Sequence, residues 1–153
     1  MSIKTQKQDI QTKITAANIS EDLKVSTALY PEGTEALKDV YSTAKNSKAS
    51  VLITYSGKKY LPKANIYATF NAFTIFIYSK ILEEITEVEE GEEEVPINPL
   101  DIESLIDSIT SILYLNGYTL FEDDVRPVID KKTGLYEAVI IIGKDGVYPI
   151  KMN

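Results

Sequence analysis

The most concentrated chemical groups in this sequence are carboxylates. Residues 83–94 contain one glycine, no aspartate and eight glutamates: Glu83, Glu84, Glu87, Glu89, Glu90, Glu92, Glu93 and Glu94. Carboxylates bind hard cations, but calcium loops mix Asp, Asn and Glu at set positions around a glycine. The run lacks that mixture. It therefore predicts a hydrated loop, and we expect no metal ligands in it.

A second acidic cluster, Glu122-Asp123-Asp124, stands shortly before Arg126. Paired carboxylates can act as acid and base when burial separates their pKa values. This cluster falls at a predicted strand entry beside a helix end, where hydrated side chains are expected. Metal-dependent hydrolysis by these carboxylates is the one enzymatic route that the sequence offers, and we predict that the protein is not an enzyme.

Several residue types that carry out catalysis are missing. The chain has no cysteine and no histidine, so it lacks thiol nucleophiles, disulfides and the commonest general base and metal ligand. No phosphate-binding or nucleophile-elbow motif is present. The pair Gly143 and Gly146 is too closely spaced to cradle a phosphate, and no helix is predicted after it. We therefore predict no catalytic residues and no cofactor.

The charge balance argues against binding to nucleic acid. Sixteen basic residues face 23 acidic ones, for a net charge of −7, whereas phosphate binding needs a clustered basic surface. The small basic and aromatic group Lys58-Lys59-Tyr60 is typical of a hairpin tip. The N-terminus has no apolar signal-peptide core, and residues 73–78 are too few to cross a bilayer. We expect a cytoplasmic protein with no membrane partner.

Helices are predicted over residues 5–18, 34–46 and 98–117. The third has an apolar stripe at helical spacing, with Asn98 as the expected N-cap, Pro99 in the first turn and Gly117 as the terminating residue. Strands are predicted over residues 25–30, 50–56, 65–82, 121–129, 135–142 and 147–152, with a turn at 57–59.

These elements predict an α+β fold, with a mixed, mainly antiparallel sheet and helices packed on one face. Residues 1–153 are expected to form a single domain, with a Glu-rich loop or hairpin extension at about 83–97. The ten tyrosines lie largely on or beside the predicted strands. Tyrosine suits both sheet surfaces and interfaces, so we expect part of this set to contact partners.

The order of elements resembles the tail terminator (tail-completion) proteins of Mu-like contractile-tailed phages. The matching pieces span nearly the whole chain and are soft patterns rather than single motifs. They are the N-terminal helix with Ile10 and Ile14, Tyr30-Pro31-Glu32-Gly33, the strand 50–57, the long strand around 70–78, the helix 100–115 and the segment 117–121. The Glu-rich segment departs from that pattern.

This resemblance implies a non-catalytic virion protein at the junction of tail and neck, assembled in the host cytoplasm. Its copies are expected to form a hexameric ring that caps the tail tube, anchors sheath subunits and meets neck or connector proteins. DNA passes through the ring without specific binding.

Sheet-edge pairing is a plausible way to build such a ring, because exposed edge strands pair readily with another chain. The expected subunit-interface residues are Lys58, Tyr60, Tyr67, Val147, Tyr148 and Ile150. The eight glutamates of residues 83–94 are expected at the lumen or rim, where they repel DNA phosphates.

Two alternatives stay open at this point. The first is another neck, adaptor or baseplate subunit, which would not bind tube ends as a terminator does. The second is a small acidic regulatory or immunity-type binder, which would be monomeric or dimeric and form a one-to-one complex with a basic target.

Overall fold

The computed structural model describes residues 2–28, 38–39, 42–43, 46, 48–63, 66–80, 90–91, 99–120, 128–130, 135–144 and 150–151. The helices are α1 (Ile3–Ala16) and α2 (Ile102–Leu115). The strands are β1 (Lys24–Thr27), β2 (Ala49–Lys63), β3 (Ile66–Ser79), β4 (Tyr118–Leu120), β5 (Val128–Asp130), β6 (Leu135–Lys144) and β7 (Ile150–Lys151).

The strands form one sheet in the order β1-β2-β3-β6-β4. β1 runs parallel to β2, and every other described pairing is antiparallel. β5 pairs with the beginning of β6, while β7 pairs with the beginning of β3. The predicted α+β fold with a mixed, mainly antiparallel sheet is confirmed.

Both α1 and α2 pack on one face of this sheet. Strand residues alternate between faces, so Val51, Ile53 and their neighbours at every second position meet the helices. Ile10 of α1 and Ile109 of α2 are completely buried in that core. Burial of a side chain of this size stabilises the fold by roughly 1.5–3 kcal/mol.

The opposite face carries a smaller cluster of Leu52, Tyr78 and Leu135. Asp39 and Thr43 have helical backbone and line a cavity beside Leu52 on this side. The helix predicted over 34–46 is thus helical where it is described, and the rest of that range lies outside the described residues. The prediction of helices on one face therefore describes α1 and α2, while the helical residues Asp39 and Thr43 border the opposite face near β1.

Polar side chains of α1 hold it against β1. The Ser2 hydroxyl accepts a hydrogen bond from the Thr5 N–H and caps the helix. Lys7, which is buried, donates from Nζ to the Ala28 carbonyl at 2.9 Å, and Gln11 donates from Nε2 to the Val25 carbonyl at 2.9 Å. These bonds fix the helix over the parallel edge of the sheet.

The beginning of α2 differs from the prediction. Asp101, not Asn98, is the N-cap: its backbone is extended, and its Oδ1 accepts the Ser104 N–H at 2.6 Å. An aspartate satisfies an orphan helix donor as well as an asparagine does, so residue type alone could not choose between them. The predicted end is confirmed, because Gly117 has φ +87° and donates its N–H to the Tyr114 carbonyl.

The predicted turn at residues 57–59 is wrong. Gly57 has φ +104°, but it sits where the β2–β3 register shifts, and the strand continues to Lys63. The positive φ serves a β-bulge, which adds a residue to one strand without reversing it. The chain reverses only beyond Lys63, which pairs with Ile66.

Of the last three predicted strands, only 135–142 is described throughout, and β6 extends it to Lys144. Residues 121–127 of the predicted strand 121–129 lie outside the described residues, and β4 and β5 flank them. The predicted final strand, 147–152, is extended at Ile150–Lys151, and its other residues lie outside the described ones. Within the described parts of the chain, neither helix is long and apolar enough to cross a membrane.

Candidate functional site

The β2–β3 hairpin extends past the body of the sheet. β1 pairs with β2 only from Ser50 to Ile53, and β6 pairs with β3 only from Ala72 to Ser79. Beyond these pairings the two strands run on together through residues 57–63 and 66–71, here called the arm. At roughly 3.3 Å per residue, the arm is about 20 Å long.

The base of the arm is fixed to the body by side chains. Asn71 donates from Nδ2 to Gln6 Oε1 of α1 at 2.9 Å, and the hydroxyls of Ser56 and Thr74 hydrogen-bond across the hairpin. Phe70 is buried, with 2% of its surface exposed. The arm therefore leaves the sheet in a defined direction.

The outer edge of the arm is the edge of β2 that pairs with β1 in the body of the sheet. Along β2 towards the arm, the last described hydrogen bond on the β1 side is donated by the Ala28 N–H to the Ile53 carbonyl. Beyond Ile53, none of the described strands pairs with that edge of β2. Such an edge is a template for adding a strand from another chain.

Four of the six predicted interface residues fall on or beside the arm. Lys58 and Tyr60 are in β2, Tyr67 is in β3, and Ile150 of β7 is in register with Tyr67 of the same chain. Val147 and Tyr148 lie outside the described residues. The structure therefore brings two distant parts of the predicted interface together, while the role in subunit contacts stays a prediction.

The predicted acidic loop is described at one glutamate. Glu90 is exposed and precedes Gly91, which has φ +94° in a turn. The other seven glutamates lie outside the described residues, as do Glu122, Asp123 and Asp124. In the described part of the chain, no three acidic side chains cluster as a metal site. The lumen or rim position of the loop stays a prediction.

The structure reveals an apolar surface that is not among the predicted sites. Tyr114 and Leu115, at the end of α2, are 77% and 82% exposed, and Leu120 at the end of β4 is 39% exposed. We call these three residues the α2–β4 patch. A sequence signal existed, because Tyr114 and Leu115 follow Leu113 directly and a helix cannot turn three successive residues to one face.

A cavity of about 250 Å³ adjoins this patch. It is lined by Thr110, Ser111, Leu113, Tyr114, Tyr118, Leu120 and Ile142. The lining contains no Asp, Glu, Lys or Arg, although these types make up a quarter of the whole sequence. The cavity therefore suits an apolar or aromatic side chain.

Tyr118 anchors β4 beneath the patch. Its hydroxyl donates to Asp9 Oδ2 of α1 at 2.7 Å, and Lys144 Nζ lies 5.2 Å from its ring centroid. Burial and then the bond to the Asp9 carboxylate raise the pKa of Tyr118 well above its ordinary value. The phenol is therefore protonated at neutral pH and serves as a structural hydrogen-bond donor.

No protein-family model matches the chain, and no curated protein matches it either.

Proposed function

We propose that this protein is a structural subunit of virion assembly. It forms a ring that caps the tail tube and sheath and joins them to the neck, in the manner of the tail terminators that its sequence resembles. The proposal is supported by one observation above all: the sheet carries a protruding β2–β3 arm, and β4, at the end of the described strand order, has one edge that no described strand pairs with. Closed rings are built from two different surfaces on each subunit.

The charge of the chain agrees with such a role. A net charge of −7 disfavours adhesion to DNA phosphates, so DNA can pass through a ring of these subunits without sticking. Glutamates of residues 83–94 placed at the lumen or rim would add to that repulsion. The proposed partners are other copies of the chain, tail tube and sheath subunits and neck proteins, at the tail–neck junction of the virion.

Light scattering on the purified chain tests the ring. A hexamer of the 17.1 kDa chain has a mass of about 103 kDa. A particle that stays at the monomer mass at all concentrations would contradict the proposal, and a one-to-one complex with a basic protein would then favour a regulatory binder.

Electron microscopy of tail tubes tests the tail role separately. Purified tube protein is polymerised with and without the chain, and the expected result is density at one tube end together with arrested growth. A variant with the arm replaced by a two-residue turn after Ser56 is the matched control, because it retains the paired body of the sheet. Rings that leave tube ends bare would indicate another neck or baseplate subunit.

A further inference from the structure

We propose that the α2–β4 patch, together with the free edge of β4, receives the arm of a neighbouring copy of this chain. This inference deepens the proposed function: it names the surface on which head-to-tail contacts form. The arm is then the donor and the patch the acceptor of one repeated contact.

The backbone provides the first argument. One edge of β4 pairs with β6, from Tyr118 opposite Lys144 to Leu120 opposite Ile142. Its other edge is paired by none of the described strands. A free edge of this kind selects an extended segment as its partner, since only an extended chain presents N–H and carbonyl groups at matching spacing.

The order of strands shows why the donor must come from another copy. The free edge of the arm lies on the β1 side of β2, and the free edge of β4 lies at the other end of β1-β2-β3-β6-β4. These edges face opposite directions, with β3 and β6 between the strands. They cannot meet within one chain, but they meet when two copies are placed side by side in the same orientation.

Charge provides the second argument. The hairpin, residues 49–79, contains three lysines, Lys58, Lys59 and Lys63, and no acidic residue. Residues 100–124 contain six carboxylates and no lysine or arginine. Two of them, Glu103 and Asp107, are exposed on α2, while Glu122, Asp123 and Asp124 follow β4 closely in the sequence. The donor is basic and the acceptor acidic, so attraction favours this pairing over arm against arm.

Apolar chemistry provides the third argument. Tyr114 and Leu115 present a large exposed apolar area next to an uncharged cavity. The sequence of the arm contains Tyr60 and Tyr67, and tyrosine is a residue type that serves as an anchor in interface cavities. Lys144, the cation beside the patch, is already engaged with the Tyr118 ring.

Charge reversal tests the pairing on the full chain. One variant carries Lys58→Glu, Lys59→Glu and Lys63→Glu, and the other carries Glu103→Lys and Asp107→Lys, at the two exposed carboxylates of α2. Light scattering should show each variant alone losing self-association by at least about tenfold in dissociation constant. An equimolar mixture should regain ring mass, because each reversed arm then meets a reversed acceptor. The control reverses Lys4, Lys24 and Lys48, three exposed lysines outside the hairpin, and should assemble as the wild type does.

A single substitution in the α2–β4 patch separates loss of the proposed contact from a folding defect. Leu115→Asp changes a side chain that is 82% exposed, so circular dichroism should be unchanged while assembly is lost. If Leu115→Asp and both charge-reversal variants still form rings as the wild type does, the proposed acceptor surface is overturned, while the proposed function stands. A wild-type chain that is monomeric at all concentrations would overturn both.

Discussion

The hydroxyl of Tyr118 on β4 donates a 2.7 Å hydrogen bond to Oδ2 of Asp9 on α1. The two residues are 109 positions apart in the chain. This bond joins the first helix to an edge strand at the far end of the strand order. It therefore fixes the strand whose free edge forms part of the proposed acceptor.

Removing this hydroxyl should change how stability depends on pH. The folded state raises the pKa of Tyr118 above the ordinary value of about 10. Below pH of about 10 the stabilisation is fully present; as pH rises further, the unfolded chain loses this proton and the folded chain keeps it, so stability falls. Tyr118→Phe should lower the free energy of unfolding at pH 7 by about 1 kcal/mol and make the alkaline decline shallower.

Urea denaturation at pH 7, 9 and 11 measures this effect. Tyr114→Phe, which removes the hydroxyl from a ring that is 77% exposed, is the matched control and should leave the stability at pH 7 unchanged. An alkaline decline equally steep in Tyr118→Phe and the wild type would contradict the prediction.

Truncations at two positions of α2 should separate stability from assembly. Ile109 is fully buried, so Ile109→Ala should lower the free energy of unfolding by about 2–5 kcal/mol. Tyr114→Ala should change it by no more than about 0.5 kcal/mol but weaken self-association. Thermal denaturation and light scattering on the same samples give the two readouts. Equal destabilisation by both substitutions would show that Tyr114 belongs to the core.

Gly57 should resist substitution because of its backbone rather than its surroundings. A Cβ added to this residue would meet no neighbouring atom within 4 Å, yet the φ of the residue is +104°. Gly57→Ala should therefore destabilise the fold by about 1–2 kcal/mol through strain alone. Gly57→Asn should cost less, since asparagine tolerates positive φ. If calorimetry shows alanine and asparagine to be equivalent here, the bulge is not the constraint.

Asp101 should be the residue that begins α2. It is 1% exposed and its carboxylate accepts the Ser104 N–H, so Asp101→Ala should cost about 1–2 kcal/mol. Asp101→Asn should recover most of that loss, because an amide oxygen also caps a helix. Glu103→Ala, an exposed change in the same turn, is the control and should cost less than about 1 kcal/mol. Chemical denaturation of the three variants ranks them.

Local patterns predicted the parts of the fold that depend on neighbours in the chain. The apolar stripe through Leu105, Ile109 and Leu113 predicted α2, and Gly117 predicted its end, because helix faces and caps are set within a few residues. The prediction of a turn at Gly57 is wrong because a glycine with positive φ is compatible with a β-bulge as well as with a chain-reversing turn. The choice depends on β3, which pairs with β2 on both sides of the bulge.

The candidate surfaces, too, depend partly on the sequence and partly on the tertiary structure. The sequence by itself shows that the chain has no thiol or imidazole side chain. It also shows that the hairpin is basic and that the segment after Leu100 is acidic. Only the tertiary structure decided that β7 pairs Ile150 with Tyr67, that the arm continues to Lys63 and that Tyr114 and Leu115 stay exposed. Strand order and exposure are set by contacts between residues far apart in the chain, which no local pattern records.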